Sequence, residues 1–271
     1  MFTNLSDLQK SGFFIALVLM IASLFGVLKI TPEVYMFAPM IALVSMFFVI
    51  TRDGYRKKEW STLGLHRTGK GLWLFCILVP FICLGCAYFI TWLTHYASPF
   101  VPEEAGSIWT VVMKVIILFI FHTVTSSLGE ELGWRGYLLP KLITLGWKKA
   151  VLLTGFIHAI FHIPLMLAGL YHSEGNPMII YPLMIIQTII GGVLFGYVRL
   201  KTNSVWPAAI LHSAHNVTWA LCREFTQVQS DLAYYIGGEN GLIMIVLYGT
   251  IACWILQMAN INQLPKKQLN M

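Results

Sequence analysis

Charge is scarce in this chain. Only 11% of its 271 residues are charged and 57% are hydrophobic, whereas soluble domains carry about 25% charged and 45–50% apolar residues. One core in water cannot hide that much apolar surface, so an ordinary soluble globule is excluded. Cysteine is equally uninformative as a scaffold. Cys76, Cys83, Cys86, Cys222 and Cys253 all lie in or beside apolar runs. The one CxxC, Cys83-Leu-Gly-Cys86, sits within such a run with no second pair, which reads as helix packing and implies neither a redox motif nor a disulfide framework. The chain also lacks internal repeats, low-complexity tracts, an HExxH zinc motif and a soluble appendage. Its longest polar stretch, 51–70, is about 20 residues and strongly basic.

What is present is hydrophobic length, with a mean hydropathy of +0.72. About 20 apolar residues cross a hydrocarbon core of roughly 30 Å, and eight runs meet that need: 12–30, 34–50, 71–93, 108–125, 150–170, 178–198, 205–221 and 241–258. None shows the two-residue alternation of barrel strands, so they are helices. The first run is too long for a removed signal peptide and lacks a small-residue cleavage site after it. The fold class expected is an all-α membrane protein, a polytopic bundle of about eight transmembrane helices around a polar intramembrane cavity, forming one domain over 1–271. Between the fourth and fifth runs, 130–149 is mixed in polarity and reads as a span end continuing into an interfacial or partly re-entrant helix. Gly192-Val-Leu-Phe-Gly196 is a small-xxx-small pattern, read as packing inside the bundle in preference to dimerisation; nothing in the sequence fixes an oligomeric state.

The net charge of +6 is an orientation signal. Lys10, Arg52, Arg56, Lys57, Lys58, Arg67, Lys70, Arg135, Lys141, Lys148, Lys149, Arg199, Lys201, Lys266 and Lys267 fall on one side of an eight-span chain, and only Lys29, Lys114 and Arg223 fall elsewhere. By the positive-inside rule both termini are cytoplasmic in a multi-pass protein of the cell membrane. The expected partners are the lipid bilayer, whose anionic headgroups suit these loops, and no nucleic acid.

Ten of the twelve acids lie in loops, termini or span edges, which leaves Glu130 and Glu131 directly after the fourth apolar run. Ionisable groups at membrane depth are costly and mark function by default, a structural ion pair being the alternative. Glu131 and Arg135 stand at i,i+4 with the acid first, the favourable order for a helical salt bridge. Glu130 points about 100° away, free to act as a general base beside an apolar wall. Of eight histidines, His66, His95 and His172 sit in loops. His122 precedes the acids, His158 and His162 share a helix face at i,i+4, and so do His212 and Asn216, with His215 close by. Three helices carrying such groups imply a polar cavity in the cytoplasmic half of the membrane, with water entering from that side.

These residues resemble a known family. Glu130-Glu131-Leu-Gly-Trp-Arg135-Gly-Tyr-Leu-Leu-Pro140 is similar to the EExxxR motif of the CPBP family, which comprises CAAX-type prenyl-protein endopeptidases and bacteriocin-processing or bacteriocin-immunity (Abi) proteins. His158–His162 falls on its FxxxH motif, with histidine where an aromatic residue is usual, and His212-Ser-Ala-His-Asn216 on its HxxxN/D motif. The run Gly196–Pro207 resembles bacterial members, and the likeness covers 128–216, the expected catalytic core. It implies a metal-independent glutamic endopeptidase without cofactor: Glu130 and His162 activate water, His212 and Asn216 donate to the oxyanion, and Glu131 and Arg135 hold the motif helix. The substrate implied is a membrane-associated peptide or protein tail. His158, His162, His212 and Glu130 would alternatively make a Zn²⁺ ligand set, with no metal as the favoured reading. Two other classes stay open: a non-proteolytic immunity or scaffold protein of the same family, and a transporter whose buried polar groups line an ion path. Ser126, Ser127 and Ser213 lack the elbow context of a serine hydrolase and read as packing or hydrogen-bonding residues.

Overall fold

The computed structural model describes residues 5–259, and its regular structure is almost wholly helical. Helix α1 (Asp7–Val27) begins where Ser6 and Gln9 cap each other: Gln9 N–H donates to Ser6 Oγ at 3.3 Å and Ser6 N–H donates to Gln9 Oε1 at 2.9 Å. This capping box satisfies two otherwise orphaned donors, so the helix starts before the apolar run itself. The chain continues through α2 (Pro32–Ile50), α3 (Trp73–Leu93), α4 (Ile108–Val124), α5 (Ser126–Glu131), α6 (Trp147–Leu167), α7 (Pro177–Thr202), α8 (Trp206–Glu224) and α9 (Leu242–Met258). Among the described residues, six helical stretches are long and apolar enough to cross a membrane. Helix α9 is apolar but has 17 residues. Helix α8, with 19, is the most polar of the set because it carries His212, His215, Asn216 and Arg223. The expected all-α membrane bundle is therefore the architecture observed.

Contacts between loops establish which ends lie together. On one side, β1 (Ala97–Pro99) and β2 (Thr226–Val228) pair antiparallel with Ala97 opposite Val228, Lys114 Nζ lies 2.9 Å from Glu224 Oε1, and Arg223 pairs with Glu174. On the other, Lys10 Nζ donates to Asp53 Oδ2 at 2.6 Å, Lys141 Nζ to Asp7 Oδ1 at 3.3 Å, and Trp206 Nε1 to the Leu65 carbonyl at 3.0 Å. Lys10, Arg56, Lys141 and Arg199 thus lie on this second face, whereas Lys114 and Arg223 lie on the first. Lys266, Lys267 and both extreme termini lie outside the described residues.

Glycine sets the closest helix contact. A Cβ on Gly192 would stand 2.7 Å from Gly155 Cα, and one on Gly196 2.3 Å from Val151 Cγ1. The Gly192–Gly196 stripe of α7 thus lies against α6, inside the bundle. Helix α4 is the opposite case. Ile116, Ile117, Ile120, Phe121 and Val124 are all exposed, giving it an apolar, lipid-type face. All five cysteines are unpaired; Cys76 and Cys83 are buried in the core, whereas Cys86, the second cysteine of the CxxC, is exposed.

Candidate active site

Beyond α4 the chain turns at Thr125 and stays helical through α5 and a π-helical stretch, Leu132–Leu138. Of the two paths read from sequence for 130–149, interfacial or partly re-entrant, residues 129–139 do not follow the interfacial one: they are all buried, and their polar groups find partners within the bundle. The wider π turn spreads successive side chains around the axis. Gly133 lets it press on α2, since a Cβ there would lie 2.6 Å from Pro39 Cβ.

The two adjacent glutamates then have separate tasks. Glu131, fully buried, accepts on Oε1 from Arg135 Nη1 at 3.0 Å and from His212 Nδ1 at 3.0 Å. Arg135 also reaches His158 Nδ1 at 3.4 Å and lies over the Phe195 ring, 4.7 Å from its centroid. Glu130, 2% exposed, turns the other way. Its Oε2 is 3.2 Å from His158 Nε2, and its Oε1 is 3.9 Å from His212 Nε2. His162 Nε2 stands 3.3 Å from His158 Nε2. Six of the seven residues singled out from sequence therefore form one buried network, and Asn216, a turn beyond His212 on α8, lines a cavity together with Arg135, His158, His162 and His212. His122 is not among them. It bonds Ser126 Oγ at 3.0 Å and borders a separate cleft between α4 and α8, which Asn216 also lines. Ser213 donates to the Phe119 carbonyl at 2.8 Å, the structural use expected of it.

The cavity extends past Gln187, Thr188, Phe195 and Tyr248 to Tyr171, Glu239 and Asn240. It thus runs toward the face that carries β1 and β2. On the basic side of the site, buried Arg199 donates to the Arg135 carbonyl at 2.9 Å and the Thr62 carbonyl at 2.7 Å.

Sequence reasoning missed the far wall. Glu239 looked like a loop acid, yet it is 5% exposed, with His172 Nε2 at 2.6 Å, His215 Nε2 at 3.3 Å and the Tyr171 hydroxyl at 3.4 Å. Burial alone would raise its pKa, but the His172 and His215 imidazoles more than offset that and hold the carboxyl below the usual glutamate range. Burial, together with the Glu239 charge, pushes the Tyr171 phenol well up, and that ring stacks on His162 with centroids 5.2 Å apart. Partners so distant along the chain leave no spacing signal; only the glycine-rich Gly237-Gly-Glu-Asn-Gly241 turn marks the position.

One nitrogen or oxygen from each of Glu130, His158 and His162 lies within 4.8 Å of the others, a donor set of zinc type. An imidazole that ligates through Nε2 must carry its proton on Nδ1 and place it on an acceptor. His158 Nδ1 faces a guanidinium.

Residues 112–218 match the family model described as type II CAAX prenyl endopeptidase Rce1-like. The match takes in all three motifs and places this segment in that family, so the resemblance drawn from them holds at family level and supports a membrane endopeptidase. No curated protein matches the chain.

Proposed function

We propose that this chain is an intramembrane endopeptidase that hydrolyses a peptide bond in a membrane-associated peptide or protein tail, using water activated by Glu130 and His162. The observation that carries the reading is the asymmetry of the two glutamates. Glu131 is spent on Arg135 and His212, whereas Glu130 keeps Oε1 without a direct partner. At 3.9 Å, the gap from that oxygen to His212 Nε2 is too long for a hydrogen bond, and a water beside it reaches both atoms.

Glu130 Oε1 takes a proton from this water as its oxygen attacks the substrate carbonyl carbon. The resulting oxyanion accepts hydrogen bonds from His212 and Asn216, and such a donor is worth roughly 3–4 kcal/mol in the transition state. His212 Nδ1 already donates to Glu131. Donation from Nε2 as well therefore requires the doubly protonated ring, which with Arg135 balances the two buried carboxylates. The proton held by Glu130 then passes to the leaving amide nitrogen as the C–N bond breaks, and His162 shares that proton traffic. Zinc is not needed for any of these steps. The family match supports an endopeptidase, and the positive-inside bias supports a cell-membrane location with both termini cytoplasmic. Catalysis is assigned to 128–216 within a single membrane domain.

The test is cleavage of a quenched-fluorescence peptide library by detergent-solubilised protein beside Glu130→Gln. Cleavage that is lost in the variant and insensitive to chelator is expected. Cleavage abolished by chelator and restored by zinc would overturn the glutamic mechanism, and no cleavage by folded wild-type protein would favour the immunity or scaffold reading.

A further inference from the structure

We infer that His158 is a positioning residue, locked by Arg135 in its Nε2–H tautomer so that this single proton fixes one oxygen of Glu130 and leaves the other to the water. The inference rests on the endopeptidase reading for its role in catalysis, but not for the tautomer itself.

A guanidinium only donates. With Arg135 Nη1 3.4 Å away, His158 Nδ1 must present its lone pair, and the ring's one proton lies on Nε2. That nitrogen stands between two acceptors, Glu130 Oε2 at 3.2 Å and His162 Nε2 at 3.3 Å. The N–H pins the Oε2 edge of Glu130 and turns Oε1 toward His212. The same proton occupies the lone pair a metal would need, so the Glu130–His158–His162 cluster, zinc-like in spacing, is closed to zinc while Arg135 is in place. His158 also packs beside Trp134, ring centroids 5.1 Å apart. His158→Phe therefore keeps an aromatic ring there and removes the proton, while His158→Gln returns an N–H at the end of a flexible chain.

Two measurements decide it. In protein carrying ¹⁵N-histidine, with the His158 signals assigned by their absence in His158→Phe, the ring is expected to show protonated Nε2 and bare Nδ1 from pH 6 to 8; protonated Nδ1 would overturn the lock whether or not the protein cleaves peptides. In peptide cleavage, His158→Phe is expected to lower kcat about 10- to 100-fold with KM little changed, and His158→Gln to recover most of that loss. Wild-type kcat in His158→Phe, or no recovery in a folded His158→Gln, would overturn the positioning role. Stoichiometric zinc in wild-type protein that is absent from His158→Phe would overturn the exclusion of metal.

Discussion

Glu130 and Glu131 are adjacent, both buried and chemically identical, so the same substitution at each separates chemistry from scaffolding. In Glu131→Gln the amide oxygen can still accept one of the two bonds made to Oε1, but Arg135, 1% exposed, and the His212 ring lose their counter-charge. Removing one partner of a buried ion pair costs about 3–5 kcal/mol. At roughly 2–4 °C per kcal/mol for a chain approaching this size, thermal unfolding in detergent should move down by about 10 °C. In Glu130→Gln, the amide oxygen can still accept from His158 Nε2, the sole direct hydrogen bond of that carboxylate in the network. Stability should change by less than about 1.5 kcal/mol, the net worth of one such bond. Turnover should fall about 10²–10⁴-fold with the loss of a general base. The assay is paired: unfolding followed by intrinsic fluorescence, and cleavage of a quenched peptide on the same preparations. Glu131→Gln as stable as wild type, or Glu130→Gln within tenfold of wild-type turnover, would refute the division of labour.

Other outcomes follow from neighbouring features. Gly196→Leu should abolish folded yield on size-exclusion chromatography, because its Cβ would start 2.3 Å from Val151; a monodisperse, active variant would contradict the α6–α7 contact. Because the native pKa of Glu239 is depressed, its contribution to stability is complete above the ordinary glutamate value of about 4.3 and is lost as pH falls from there toward the native value. Melting temperature should accordingly drop less between pH 5 and pH 3 in Glu239→Gln than in wild type, and equal drops would count against the Glu239 cluster. Reporter fusions in the 51–69 and 94–107 loops should report cytoplasm and exterior respectively, and the reverse would overturn the orientation.

Hydrophobic length sufficed to find the helices, and i,i+4 spacing sufficed to pair Glu131 with Arg135, since both signals are local. The motif spacings likewise anticipated that Glu130, His158, His162 and His212 converge. The sequence leaves the path of the chain after Glu131 open between an interfacial and a partly re-entrant one because polarity normally signals water, whereas here Arg135 is paired with Glu131 and Arg199 with the Arg135 carbonyl inside the bundle. Arg199, read as a cytoplasmic loop charge, is likewise buried at the end of its helix. Glu239, Tyr171 and His172 escaped notice because only the folded chain brings them together.

The polarity of α8 has a consequence for how the protein is made. A segment holding His212, His215, Asn216 and Arg223 is a poor candidate for partitioning into lipid alone, since each such group is penalised at the bilayer centre. Its partners α3 and α4, against which it packs, precede it in the chain and are far more apolar. Synthesis therefore delivers the greasy cradle first and the polar helix into it, so that membrane integration of α8 and completion of the site are one event. A nascent chain halted before residue 206 would be a membrane protein without a reactive centre.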